Sequence, residues 1–161
     1  MTPLSDTAEE QLKKLEEILD EYDKANSVKV GKNDKVGDYL CYTREDLTKL
    51  SEEDCSMMSF ELSSFSFNLQ KEYNRQKAKA DWAEANIKIH ASKRFSQYKS
   101  QYQNYEELKM LTILGDEYTK KLFQLKTQAE TRMNEFYGLS AKVELIINSL
   151  KDVKFSKKNN R

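Results

Sequence analysis

Apolar residues recur every three or four positions over two long stretches of this chain. A mean spacing of about 3.5 to 3.6 residues is that of an amphipathic helix, straight or slightly supercoiled. The first series predicts a helix from 52 to 98, and the second predicts one from 118 to 153. The first contains Cys55, Met58, Leu62, Phe65, Leu69, Tyr73, Gln76, Ala80, Ala83, Ile87, Ala91, Phe95, Tyr98, Tyr102 and Tyr105; the second contains Tyr118, Leu122, Leu125, Ala129, Met133, Phe136, Leu139, Val143, Ile146, Leu150 and Val153.

A helix that carries one long apolar stripe cannot bury that stripe alone. The two predicted helices are therefore expected to pack on each other, on other subunits, or on both. The turn between them is expected between 97 and 116, where Gly115 and Asp116 form a weak point. The predicted fold class is all-α: a long antiparallel helical hairpin or coiled coil with an additional N-terminal helix, assembled as an oligomer.

The N-terminal segment is predicted to begin with a shorter amphipathic helix. It should start near residue 5 or 6, where Thr7 and Glu10 also have the spacing of a capping box, and end near Asn26. Its apolar stripe consists of Leu12, Leu15, Ile18, Leu19 and Tyr22.

Polar turn residues then predict a loop from 27 to 37. A short helix capped at Thr43 and a new helix start at Ser51 follow. The resulting division of the chain is an acidic N-terminal helix and loop arm over 1–50, a long helical hairpin over 51–154, and a basic tail over 155–161.

Composition agrees with long helices and hides a charge asymmetry. The 161 residues include four Gly and one Pro, and 34% are charged. The net charge is zero, yet 8 of the 27 basic and 16 of the 27 acidic residues lie in 1–62, which leaves 19 basic and 11 acidic residues in 63–161. A basic half can bind a polyanion, with the acidic arm left for a protein partner or for masking the basic surface. Equally, the two halves can simply pair with each other.

A row of basic residues follows one flank of the long predicted helix. Lys71, Arg75 and Lys79 are spaced four residues apart, and Trp82 and Lys93 continue the row with few acids beside them. Such a row suits a phosphate backbone with a base stacked alongside. A solvated face, or pairing with the acidic arm, explains it equally well. The candidate nucleic-acid-binding residues are Lys71, Arg75, Lys77, Lys79, Trp82, Lys88, Lys93, Arg94, Tyr98 and Lys99.

An acid-free aromatic stretch, KRFSQYKSQYQNY at 93–105, continues this region. Tyr98 and Tyr102 lie in register with the apolar stripe, which favours packing as their role. Near a helix end they could instead face outward and stack on bases.

The sequence contains no pattern typical of an enzyme or of a cofactor site. It has one His and two Cys that are not spaced for zinc, and it has no glycine-rich phosphate loop. We therefore expect no catalysis, no metal and no cofactor. Neither a signal peptide nor an apolar run of about 18 residues is apparent, so a reducing cytoplasm is the expected location and no membrane association is expected.

The segment KAKADW, Lys77 to Trp82, resembles the Lys-Ala-Arg-x-Asp-Tyr segment of the phage recombination mediators of the UvsY type. The similarity extends over about 57–155 and includes GDEYTKKLFQLK and INSLKDVKF. It implies a homo-oligomer that binds single-stranded DNA and helps to load a RecA-like recombinase onto strands covered by a single-strand-binding protein, in a host cytoplasm. It also implies that Lys77 and Lys79 contact the DNA. The helical period, however, puts Lys77 on the flank of the long predicted helix opposite to the basic row that contains Lys79.

Two functions from different classes are thus predicted. The first is a DNA-binding recombination mediator encoded by a phage. The second is a coiled-coil structural or assembly protein, such as a scaffold or virion component, whose charges serve subunit pairing without nucleic-acid binding.

Overall fold

The computed structural model describes residues 7–26, 35–98 and 104–159, with 95–98 described by their backbone alone. Helices account for 93% of this part of the chain, and it contains no strand. The all-α prediction is therefore confirmed. The helices are α1 (Ala8–Asn26), α2 (Val36–Tyr39), α3 (Arg44–Lys49), α4 (Glu52–Tyr98), α5 (Tyr105–Gly115) and α6 (Glu117–Asn159).

The three predicted caps are formed as reciprocal capping boxes, and α1 begins at Ala8, directly after Thr7, where the prediction was residue 5 or 6. The Thr7 hydroxyl accepts a hydrogen bond from the backbone N–H of Glu10 at 3.3 Å, and the Glu10 carboxylate accepts one from the Thr7 N–H at 2.7 Å. Thr43 and Asp46 form the same box before α3, as do Ser51 and Asp54 before α4. Each box satisfies two N–H groups that would otherwise lack a helical partner.

Two short elements differ from the prediction. Val36, assigned to a loop, opens α2 and is buried. The turn between the long helices contains a further helix, α5, which begins after the Asn104 cap and ends at Gly115. Asp116 is extended, so the predicted weak point is a real break. At the other end, α6 continues through the first residues of the predicted basic tail to Asn159.

The chain divides into two compact units. Unit 1 is built from α1, the part of α4 from Asn74 onward, α5, and α6 up to Met133. Its core is a cluster of Ala8, Ile87, Ile113 and Leu122, against which Trp82, Tyr118 and Leu125 pack.

Unit 2 is built from α2, α3, α4 up to Tyr73, and α6 from Asn134. Its core contains Val36, Leu47, Cys55, Met58, Leu62, Leu69, Val143, Ile146 and Leu150. The Lys157 ammonium donates a hydrogen bond to the carbonyl of Leu50. Because Leu50 precedes α4 and Lys157 lies near the end of α6, the two helices run antiparallel in this unit.

The predicted apolar series mark the packed faces of both long helices. Every member whose side chain is described is buried or half-buried, from Cys55 to Ala91 and from Tyr118 to Val153. Within each unit, α4 and α6 therefore cover each other's stripes. Their coiled-coil character and the oligomeric state stay predictions.

A candidate cationic groove

Two cations of the predicted basic row are paired with the acidic helix α1. The Arg75 guanidinium lies 2.5 Å from the Asp20 carboxylate and 3.3 Å from that of Asp23. The Lys79 ammonium lies 2.5 Å from the Glu16 carboxylate. Both cationic side chains are about four-fifths buried, whereas Asp20 is more than half exposed. The sequence allowed this row to bind phosphates, to face solvent or to pair with the acidic arm. In the structure, Arg75 and Lys79 pair with the acidic arm.

Helix α6 adds a third cation to the same contact. The Lys121 ammonium lies 2.9 Å from the Glu9 carboxylate, and this hydrogen bond lowers the pKa of Glu9. Between the three helices lies a cavity lined by Leu12 and Glu16 of α1, Gln76 and Lys79 of α4, and Leu125, Gln128, Ala129 and Arg132 of α6. We call the surface formed by Arg75 and Lys79 of α4 with Lys121 and Arg132 of α6 the cationic groove.

Helix α1 covers this groove with little apolar contact. Within α1, all of which the structure describes, Ala8 is the single buried residue. Leu12, Leu15 and Leu19 are half-buried, and the remaining stripe residues Ile18 and Tyr22 are 62% and 64% exposed. Ion pairs are therefore a large part of what holds α1 on unit 1.

Trp82 packs against the core of unit 1, and its role as a stacking platform stays a prediction. It is half-buried and packs against the cluster to which α1 contributes Ala8. Asn86, one turn further along α4, donates a side-chain hydrogen bond to the Trp82 carbonyl at 2.9 Å.

The other flank of α4 is organised around one carboxylate. Glu84 lies 2.7 Å from the Lys109 ammonium of α5, 2.9 Å from the Lys126 ammonium of α6, and 3.5 Å from that of Lys88. Burial alone would raise the pKa of Glu84, but the hydrogen bonds from Lys109 and Lys126 outweigh it and lower the pKa to about 2. Lys88 thus belongs to the Glu84 cluster and lies away from the cationic groove.

The other candidate residues are dispersed. Lys71 is half-buried and belongs to unit 2, whereas Lys77 and Lys93 of unit 1 are exposed. The Arg94 guanidinium lies 3.7 Å from the Asp116 carboxylate. The Tyr98 side chain, Lys99 and Tyr102 lie outside the described residues.

The cations that sequence reasoning missed are Lys109, Lys121, Lys126 and Arg132. Lys109, Lys121 and Lys126 lie on α5 or α6 and pair with carboxylates of α1 or α4, and Arg132 of α6 lines the cavity between the three helices. These positions result from tertiary packing, so no local spacing in the sequence marks them. Their one common signal is the basic excess of the chain after residue 62.

The described part of the chain contains no group of His, Cys, Asp and Glu side chains that could hold a metal ion. Among its helices, none is both long enough and apolar enough to cross a membrane. Comparisons with protein-family models, curated proteins and solved structures found no match to this chain.

Proposed function

We propose that this protein binds single-stranded DNA as an accessory protein of recombination, with the cationic groove of unit 1 as the binding surface. One observation supports this proposal: Arg75, Lys79 and Lys121 together bind a row of carboxylates from a single helix. A surface that binds a row of carboxylates has the charge and the donors to bind a row of phosphates.

The length of the row is compatible with several nucleotides. The paired acids run from Glu9 to Asp23 along α1, which is about 21 Å at roughly 1.5 Å per residue. Successive phosphates of one duplex strand are about 3.4 Å apart along the axis, so that length covers about six phosphates. It covers fewer when a single strand is extended. Because three cations, Arg75, Lys79 and Lys121, are paired with this row of acids, three ionic contacts per subunit are the expected number.

The recombination role and its partners come from the resemblance at Lys77 to Trp82. In this proposal the protein acts without catalysis, as a homo-oligomer in a host cytoplasm. Its protein partners are a RecA-like recombinase and a single-strand-binding protein. The resemblance implies that Lys77 and Lys79 contact DNA. Of these two residues, Lys79 belongs to the cationic groove, so it links the resemblance to the proposed binding surface.

A titration of labelled oligothymidine tests the binding surface. Three phosphate contacts predict a slope of log affinity against log salt of about −2, and the Arg75→Ala/Lys79→Ala variant should flatten it by about 1.4. The matched control is Lys142→Ala/Lys151→Ala, which removes two exposed charges from α6 and should leave the slope unchanged. Binding that ignores salt, or an Arg75→Ala/Lys79→Ala variant that binds like the parent, would contradict the proposal. A duplex of the same length is expected to bind more weakly.

A second candidate, a coiled-coil assembly protein, is favoured by a different observation. On the part of α4 in unit 2, Met57, Phe60 and Phe67 are exposed on the face opposite the buried stripe. Exposed aromatic residues at helical spacing are typical of an interface between subunits. This face is compatible with oligomerisation under both proposals, so binding to DNA decides between them.

A further inference from the structure

We propose that α1 is a built-in competitor for the cationic groove, and that a single strand binds there by displacing α1. This proposal rests on the proposed function and adds that a DNA strand must replace α1 in order to bind. It assigns the acidic N-terminal helix the role of a mask that sets the affinity and length preference of the binding surface.

The first support is the chemical match between α1 and a polyanion. Four carboxylates of one helix, at positions 9, 16, 20 and 23, contact Lys121, Lys79 and Arg75 of two other helices. The Arg75 and Lys79 side chains are largely buried in these contacts. A phosphate backbone cannot reach the same ammonium and guanidinium groups while the carboxylates hold them, so the two ligands exclude each other.

The second support is the weak attachment of α1. Ala8 is its single buried residue, Leu12, Leu15 and Leu19 are half-buried, and its apolar positions 18 and 22 are largely exposed. A further hydrogen bond joins it to α6, from the Tyr118 hydroxyl to the Gln11 side chain at 2.5 Å. The carboxylates of Glu9, Glu16 and Asp20 are 40% to 56% exposed, and ion pairs that stay open to solvent shift an equilibrium by only about 1.4- to 5-fold each. The helix is therefore held closely enough to mask the groove and loosely enough for a strand with several phosphates to replace it.

The third support is the advantage of a competitor in the same chain. A tethered segment competes at an effective concentration on the order of millimolar. A short strand, which meets one cation at a time, competes poorly against it. A longer strand engages Arg75, Lys79 and Lys121 together, so the mask converts a general attraction for anions into a preference for long polyanions.

Neutral variants of α1 in the full chain test the competition. Glu16→Gln/Asp20→Asn removes carboxylates that face the groove, and Glu17→Gln/Glu21→Gln removes two exposed carboxylates from the same helix. Both variants change the net charge equally. Since the apparent dissociation constant is the intrinsic one divided by the unmasked fraction, Glu16→Gln/Asp20→Asn should bind oligothymidine about 2- to 25-fold more tightly than the control variant. Glu9→Gln, which releases Lys121, should give a smaller gain in the same direction.

The outcomes separate the two proposals. Tighter binding by Glu16→Gln/Asp20→Asn than by Glu17→Gln/Glu21→Gln supports the competition. Equal affinities for the two variants, with salt-dependent binding by the parent, would overturn the competition and leave the proposed function standing. No binding by the parent or by any of these variants would overturn both. Circular dichroism of each variant verifies that the helical content is that of the parent.

Discussion

At the scale of single residues, Glu84 is a point where three helices of unit 1 meet. Its carboxylate joins α4 to Lys109 of α5 and Lys126 of α6, and it also contacts Lys88 one turn further along α4. The side chain is about four-fifths buried, so water screens these contacts less than those of α1. Removing the charge would leave two partly buried ammonium groups without their main counter-charge.

We expect Glu84→Gln to lower the free energy of unfolding by about 1 to 3 kcal/mol at neutral pH. Chemical denaturation of the parent and the variant measures this change in the free energy of unfolding. Glu130→Gln is the matched control, because Glu130 also pairs with Lys126 but is half exposed, and it should cost less than about 0.5 kcal/mol.

The difference in unfolding free energy between the parent and Glu84→Gln should depend on pH in a defined direction. The pKa of Glu84 falls from 4.5 in the unfolded chain to about 2 in the folded protein. A group with a lowered folded pKa stabilises the protein above its unfolded pKa, and this stabilisation is lost as the pH falls toward the folded value. The stability difference between parent and Glu84→Gln should thus be full above about pH 5 and decline between pH 4.5 and 2. A difference that stays constant across this range would contradict the account of Glu84.

At the scale of elements, the sequence predicts helices well where the signal is local. The caps at Thr7, Thr43 and Ser51 are confirmed because a capping box involves residues three apart. The segment between the long helices was predicted only as a turn, and α5 was missed. Three residues of α5, namely Leu108, Thr112 and Ile113, are buried. Their burial is a tertiary effect, which an eleven-residue segment does not reveal by itself.

The outer face of α4 in unit 2 is the surface that we expect to mediate assembly. Phe60 is 74% exposed and Phe67 is 47% exposed, although both lie on a helix whose other face is fully packed. We expect the protein to be an oligomer in size-exclusion chromatography with light scattering, and we expect Phe60→Ser/Phe67→Ser to shift it toward the monomer. The control Leu111→Ser/Leu114→Ser removes exposed apolar residues from α5 and should not shift it. A parent protein that is monomeric at micromolar concentration would contradict this role for the face.

At the scale of the whole molecule, a zero net charge conceals an acidic segment laid on a basic one. The sequence showed the excess of acids before residue 62 and the row through Arg75 and Lys79. It left open whether the row is solvated, pairs with the arm or binds an anion. In the structure Arg75 and Lys79 pair with α1, and Lys121 of α6 joins them. Pairings between residues dozens of positions apart depend on how helices dock. Helical spacing shows which face of a helix packs, but it does not specify which charged residues of two helices meet.

The emission of Trp82 provides the most direct test of the central claim that a strand replaces α1 in the cationic groove. It is the one tryptophan of the chain, and it packs against a cluster to which α1 contributes Ala8. Displacement of α1 should expose the ring to water and shift its emission to longer wavelength as oligothymidine is added. A polyanion without bases, such as heparin, should produce the same shift, because charge alone drives the exchange. Binding of oligothymidine, followed by anisotropy, that leaves the Trp82 emission wavelength unchanged would contradict the account.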